Sequence, residues 1–308
     1  MNKKILITGG TGMIGKKLVA ELCSQGAYIR ILSRDSKKAN KYFHEYLTAE
    51  AIDIKNYGEP SLLKKITEDT DIVINLAGAN VGDKKWTNEY KEEIYNSRIK
   101  MTSLIVKSVK LSENKPECLI NASGTGIYGF RGDEIINEES SHGGDFLAGV
   151  CTDWEKEAYK AAESNVRVVT IRTGIVLDKK EGALPELLMP FRFYTNAYQG
   201  NGKQWFPWIH IDDIVKSYIF AATNTAISGA VNAVSPDTVT ARQFSDMISK
   251  FKKTFITLPV PKFILKIAAG EFAENLVTGQ RVIPKKLLRY GFEFKYPNLF
   301  NAMEELLL

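Results

Sequence analysis

The chain has no apolar run near the roughly 18 residues that a membrane span needs. Its opening, Met1-Asn2-Lys3-Lys4 followed by three apolar residues before Thr8-Gly9, is too short for a secretory signal. Cysteine is scarce. Cys23, Cys118 and Cys151 form an odd set with no Cys-x-x-Cys spacing, which argues against a disulfide framework and a structural zinc site. The three histidines, His44, His142 and His210, are too dispersed for a metal site. The net charge of +5 over 308 residues is spread over pairs such as Lys3-Lys4, Lys84-Lys85 and Lys252-Lys253. Scattered pairs read as solvated faces, whereas nucleic-acid binders gather their cations into a stripe. The expectation is a soluble, cytoplasmic protein acting on a small molecule, with no nucleic-acid or membrane partner and no metal.

What the chain does have begins at its fourth residue. Lys4-Ile5-Leu6-Ile7 is a short apolar strand that runs into Thr8-Gly9-Gly10-Thr11-Gly12-Met13-Ile14-Gly15. Ile14, Leu18 and Leu22 then recur at helical spacing, Gly26 closes the helix, and Tyr28-Ile29-Arg30-Ile31-Leu32 is a second strand. A βαβ unit with glycines in its first turn is a dinucleotide-binding pattern. Gly9 permits the tight turn, Gly12 lets backbone approach a pyrophosphate, and Gly15 lets helix pack on strand. The helix start adds free N–H groups and the positive end of the helix dipole. Gly9, Thr11, Gly12, Met13, Ile14 and Gly15 are therefore the expected phosphate-side residues.

The end of the second strand bears on which dinucleotide is bound. NAD-binding folds place an acid there, about 20 residues on, for the ribose hydroxyls. This chain has Ser33-Arg34, with Lys37 and Lys38 close by. A guanidinium cannot accept those protons but can clamp a 2′-phosphate. The expected cofactor is NADP(H), and the competing reading makes Arg34 an ordinary loop arginine.

Ala51-Ile52-Asp53, Asp71 to Leu76, Glu117 to Ala122 and Val166 to Ile171 read as further strands. Helices over Trp86 to Val109 and Asp153 to Ala162 separate them, which predicts an α/β fold with a Rossmann-type doubly wound parallel sheet. Leu76-Ala77-Gly78 follows the fourth strand, small enough for backbone to lie along a cofactor. With Ile127-Tyr128-Gly129 and Trp208-Ile209-His210-Ile211-Asp212-Asp213, the chain resembles extended short-chain dehydrogenases/reductases. Asn75-Leu76-Ala77-Gly78, Ser97-Arg98-Ile99, Trp154-Glu155, Arg172-Thr173-Gly174 and Val282-Ile283-Pro284-Lys285 narrow the resemblance to the atypical "epimerase family" group, whose C-terminal segment is a domain of unknown function. It implies an NADP-binding Rossmann domain over residues 1–176, with 205–233 returning to it. It also implies a smaller C-terminal α+β substrate lobe built from 177–204 and 234–308. Glu93 and Arg98 would face the cofactor, unless they form only a surface pair.

That superfamily generally works with Tyr-x-x-x-Lys on one helix, the lysine favouring a phenolate that moves the proton. None of the thirteen tyrosines here has a lysine four residues later. Aligning Phe146 to Glu155 on that helix puts Cys151 in the tyrosine slot and Glu155 in the lysine slot. Gly124 stands where a Ser or Thr is usual, flanked by Ser123 and Thr125, and Arg98 stands where an Asn is usual.

Tyr128 and Ser123 are the candidate catalytic residues, with packing as the other reading of Tyr128. Cys151 reads as buried and inert, since a neighbouring carboxylate disfavours a thiolate. Gln204, Trp205 and Trp208 either line the cleft or pack in a core. His210 either caps the helix before Asp212-Asp213 or touches substrate. Gln204, Trp208 and His210 are the candidate substrate residues. The function expected is an NADP(H)-dependent oxidoreductase or epimerase acting on a polar small molecule, a sugar being one candidate. The alternative is a non-catalytic NADP(H)-binding sensor or partner-binding module.

Overall fold

A computed structural model describes residues 1–308, the side chain of residue 268 aside. In its first half, strands and helices alternate: β1 (Lys4–Thr8), α1 (Met13–Ser24), β2 (Tyr28–Ser33), α2 (Ser36–Tyr42), β3 (Ala49–Asp53), α3 (Pro60–Thr67), β4 (Ile72–Asn75) and α4 (Asn88–Leu111). Then come β5 (Cys118–Gly124), β6 (Ile135–Ile136), α5 (Phe146–Tyr159), β7 (Arg167–Thr173), β8 (Ile175–Leu177) and α6 (Ala183–Leu187). The remainder holds β9 (Thr195–Gln199), β10 (Trp205–Phe206), β11 (Trp208–His210), α7 (Ile211–Thr223), β12 (Gly229–Ala233), β13 (Val239–Thr240) and α8 (Ala241–Ile248). It ends with β14 (Ile256–Val260), α9 (Lys262–Ala269), α10 (Ala273–Val277), β15 (Arg281–Val282), α11 (Lys285–Arg289) and α12 (Leu299–Leu307).

Seven strands form one parallel sheet in the order β12-β7-β5-β4-β1-β2-β3. The strands read as unbroken apolar runs because both faces are covered. Ile5 and Ile7 point into a core shared with Leu18 and Leu22 of α1 and Ile214 of α7. Leu6, between them, points to the opposite face, against Ile105 and Val109 of α4. Each fully buried aliphatic side chain of this kind contributes about 1.5–3 kcal/mol relative to exposure. α4 follows the same logic: Thr87 caps it by accepting from the Tyr90 N–H, and Tyr90, Ile94, Thr102, Ile105 and Val109 are its buried stripe.

The lobe is stitched from two-stranded pairs: β8 with β11, β9 with β14, β10 with β13, and β6 with β15. Its core gathers around Trp208, Phe206, Phe244, Leu299 and Met303. Two expected boundaries move. Residues 205–206 pair with β13 in the lobe, so the return to the large sheet starts with α7 and ends in β12. The helix expected from Asp153 starts at Phe146, where the Asp145 carboxylate caps it by accepting from the Ala148 N–H.

Candidate dinucleotide and substrate site

β1, β2, β4, β5 and β7 all end at one edge of the sheet, the edge where such folds hold ligands. Three glycines of the first turn do different work there. Gly9 has φ +70°, and a Cβ on it would lie 2.8 Å from the Leu76 carbonyl carbon. At Gly15 a Cβ would lie 2.4 Å from the Gly9 carbonyl oxygen, so helix and turn touch backbone to backbone. At Gly12 a Cβ would meet only the Gly9 oxygen, at 3.4 Å. Gly12 is also the N-cap of α1, and no side chain caps the helix. Its first N–H groups, with exposed Thr11 and half-buried Met13 and Ile14, form an open anion-binding end. That cradle fits a pyrophosphate.

Ser33 ends β2 and accepts from the Asp35 N–H at 3.2 Å. Arg34 beside it is exposed and, among the described residues, takes no hydrogen bond or ion pair. Across β1, Leu76 and Ala77 lie against Gly9, and Gly78 is exposed. The Arg98 guanidinium lies under Gly78, where an added Cβ would be 3.0 Å away. It stacks 5.0 Å over the Trp154 ring and donates to the Ile94 carbonyl at 2.9 Å. Burial lowers the Arg98 pKa from the usual arginine value. Glu93 does not join it: its exposed carboxylate sits 3.4 Å from Lys84 in the preceding loop. Of the expected pair, Arg98 alone reaches this edge.

Sequence reading missed two features at this edge. A buried hydrogen-bond network ties five elements, β1, β4, β5, α4 and α5, together under it. Asn75 bridges Thr8 (2.5 Å), Asn121 (2.6 Å) and Thr102 (2.9 Å), and the Trp154 indole donates to Thr102 at 2.9 Å. In addition, the segment after β8 crosses the start of α1. Glu181 pairs with Lys16 at 2.6 Å, and a Cβ on Gly182 would lie 2.9 Å from Met13 Sδ. Neither was legible, because each joins residues far apart in the chain.

The slots of the missing relay hold a different arrangement. Glu155 is buried, and both its oxygens accept from Arg172 at 2.8 Å, in a fork with side chains 3% and 4% exposed. Burial works to lower the Arg172 pKa, but Glu155 more than offsets it and the guanidinium is held charged. Arg172 also donates to Tyr128 Oη (2.9 Å), to the Glu138 carbonyl (3.3 Å) and to His142 Nε2 (3.1 Å). A lysine in the Glu155 position would face that guanidinium as a like charge.

Tyr128, of the two readings open to it, is placed in the packing position. Its ring is fully buried, its hydroxyl donates to Asn232 at 2.6 Å, and burial pushes its pKa up to about 12. It packs in the interior, where its hydroxyl proton is donated to Asn232. Cys151, in the tyrosine slot, is a buried thiol that burial pushes up to about 11. Its Sγ would lie 3.8 Å from a Cβ on Gly124. Ser123 stands beside this thiol, and its buried Oγ has no hydrogen-bond partner among the described residues.

The three candidate substrate residues are also redirected. Trp208 is 1% exposed, in the lobe core, and its indole donates to the Asp237 carbonyl. His210 is equally buried. Its Nδ1 accepts from the Asp212 N–H at 3.1 Å, which makes it the cap of α7, and Nε2 lies 3.0 Å from Glu305. Gln204 is buried and donates to the Gln199 and Leu276 carbonyls, bridging a turn to α10. The start of α4 and the loop before it are met instead by the α9–α10 arm. Lys85 donates to the Ile267 carbonyl at 2.8 Å, Lys91 pairs with Glu271, and Phe272 lies 5.3 Å from the Trp86 ring.

Comparison with known proteins places this arrangement. Residues 5–233 match the NAD dependent epimerase/dehydratase family, and residues 260–306 match a domain of unknown function, DUF1731. The "Epimerase family protein SDR39U1 homolog, chloroplastic" of Arabidopsis thaliana is 36% identical over 98% of this chain and 86% of its own length. The crystal structure of human epimerase family protein SDR39U1 (isoform 2) with NADPH superposes with a TM-score of 0.85 at 27% identity, covering 98% of each chain. A nucleoside-diphosphate sugar epimerase from Corynebacterium glutamicum superposes on the whole of this chain and 58% of its own, with a TM-score of 0.78 at 30% identity. The chain belongs to the NAD dependent epimerase/dehydratase family, as a member carrying the C-terminal domain of unknown function.

Proposed function

We propose that this protein is an NADP(H)-dependent oxidoreductase or epimerase acting on a polar small molecule, a sugar being one candidate. The observation that carries the proposal is the unpaired Arg34 guanidinium next to an open, uncapped glycine turn. In this reading the Met13–Gly15 N–H groups take the pyrophosphate, Arg34 and Ser33 take the 2′-phosphate, and Leu76, Ala77 and Gly78 lie along the cofactor. Arg98 supplies a fixed positive charge at that edge. When bound, the dinucleotide would supply a hydride acceptor for a carbinol carbon or a hydride donor for a carbonyl carbon. Of the protein groups at the relay position, Cys151 Sγ and Ser123 Oγ carry protons at neutral pH, while Tyr128 Oη is committed to Asn232. The NADPH in the human relative and the sugar epimerase among the structural relatives support the cofactor and substrate classes.

The test is incubation of the protein and NADP(H) with fractions of a polar metabolite extract, read by cofactor absorbance for net oxidation or reduction and by chromatography for epimerised products, which leave the cofactor's net redox state unchanged. One fraction supporting turnover by the native protein, and none by Gly12→Val, is the expected result. Tight NADPH binding with no turnover in any fraction would favour the alternative, a redox-sensing binding module.

A further inference from the structure

Charge and apolar surface coincide at one place outside the dinucleotide site. Between Asp246 and Glu271 the chain carries five lysines and no acidic residue, as many positive charges as the net excess of the whole protein. This stretch contains β14 and α9. Phe255, Phe263 and Ile267 are 70%, 66% and 71% exposed, and Ile256 and Leu258 are each at least half exposed. Phe193 extends the patch from the neighbouring turn, where the Tyr194 ring lies 5.3 Å from Phe255.

β14 pairs only with β9, so this apolar strand is also an open edge. Such an edge is a liability unless something covers it. Lys250, Lys253 and Lys266 take no ion pair among the described residues, and Lys253 sits 5.1 Å over the Phe255 ring. Lys252 reaches the Leu307 carbonyl and Lys262 pairs with Glu274.

Two occupants compete for such a face, and charge separates them. A two-fold dimer would set this lysine-rich surface against itself, with the unpaired Lys250, Lys253 and Lys266 opposed as like charges. A bilayer with anionic headgroups offers the complement of both parts: negative charge for the lysines and an apolar layer for the aromatic tips. We propose that the β14–α9 face is a peripheral docking surface for an anionic lipid membrane. No helix of the described residues is long and apolar enough to cross a membrane, so the protein would rest on the surface. Because α9 also meets Lys85, docking sets the loop before α4 beside the bilayer.

The experiment is co-sedimentation of the full chain with phosphatidylcholine vesicles, with and without phosphatidylserine. The native protein is expected to pellet with the anionic vesicles only and to be released by high salt. Lys253→Gln/Lys266→Gln is expected to weaken binding roughly 30-fold, about fivefold per lysine. Phe255→Ser/Phe263→Ser is expected to abolish it. Both pairs are surface changes, so unaltered melting and NADPH titration curves would certify the fold. Failure to bind anionic vesicles would overturn the proposal, as would equal binding to both vesicle types. It would also be overturned by a dimer in light scattering that Phe255→Ser/Phe263→Ser dissociates, because a second copy would then be the occupant.

Discussion

Glu155→Gln removes the negative member of an ion pair whose two side chains are 3% and 4% exposed. The glutamine keeps one acceptor oxygen but turns its NH2 toward a guanidinium N–H, donor against donor. The other partners of Arg172 are a tyrosine hydroxyl, a backbone carbonyl and a histidine ring, and none of these is negatively charged. Leaving one buried charge uncompensated costs about 3–5 kcal/mol. At about 2 °C per kcal/mol for a large domain, the melting midpoint falls by roughly 6–10 °C. Glu155→Lys reinstates the residue type usual in the wider superfamily, yet it sets an ammonium against Arg172 and destabilises further. Replacing both members by methionine removes the charges together and recovers most of the loss. Calorimetry on the four proteins decides the matter. An unchanged midpoint for Glu155→Gln, or a Glu155→Lys protein more stable than it, would refute this account of why the relay lysine is gone.

The glycine turn separates binding from folding. Gly12→Ala leaves the melting midpoint near native but weakens NADPH binding roughly tenfold or more, since its Cβ projects into the open cradle. Gly15→Ala drives a Cβ into backbone and lowers stability by about 1–3 kcal/mol or more, read by chemical denaturation. Tyr128→Phe strands Asn232 and one arm of Arg172, costing about 1–3 kcal/mol, while NADPH titrations of the variant match the native protein. Cys151, held protonated by burial, is expected to resist iodoacetamide at neutral pH until denaturant is added; rapid labelling of the native protein, seen by peptide mass spectrometry, would count against that burial.

The large sheet was legible because its strands are buried on both faces and therefore appear as apolar runs, and because Gly9, Gly12 and Gly15 sit between strand and helix. The lobe was not. Its pairs join segments such as Ile135–Ile136 with Arg281–Val282, and strands of two residues leave no periodicity to read. Residue type also conceals direction. Tyr128, Trp208 and Gln204 are chemically suited to a cleft, but their side chains point into the interior. His210 was legible in one of its two readings, since the acids after it mark a helix start that its ring caps. Glu155 was visible in the lysine slot, but its partner lies on another element, seventeen residues on. The lysines look dispersed along the chain, and only the fold shows Lys253, just before β14, and Lys266 of α9 beside exposed apolar side chains.

The cofactor assignment, on which the proposed function rests, is tested most directly by fluorescence titration of the native protein and Arg34→Ala with NADPH and NADH. The account predicts tighter binding of NADPH by the native protein. Arg34→Ala should lose that preference by roughly 10- to 100-fold, the value of a charge-assisted hydrogen bond to phosphate, with NADH affinity unchanged. Equal affinity of the native protein for both cofactors, or an undiminished NADPH preference in Arg34→Ala, would contradict it.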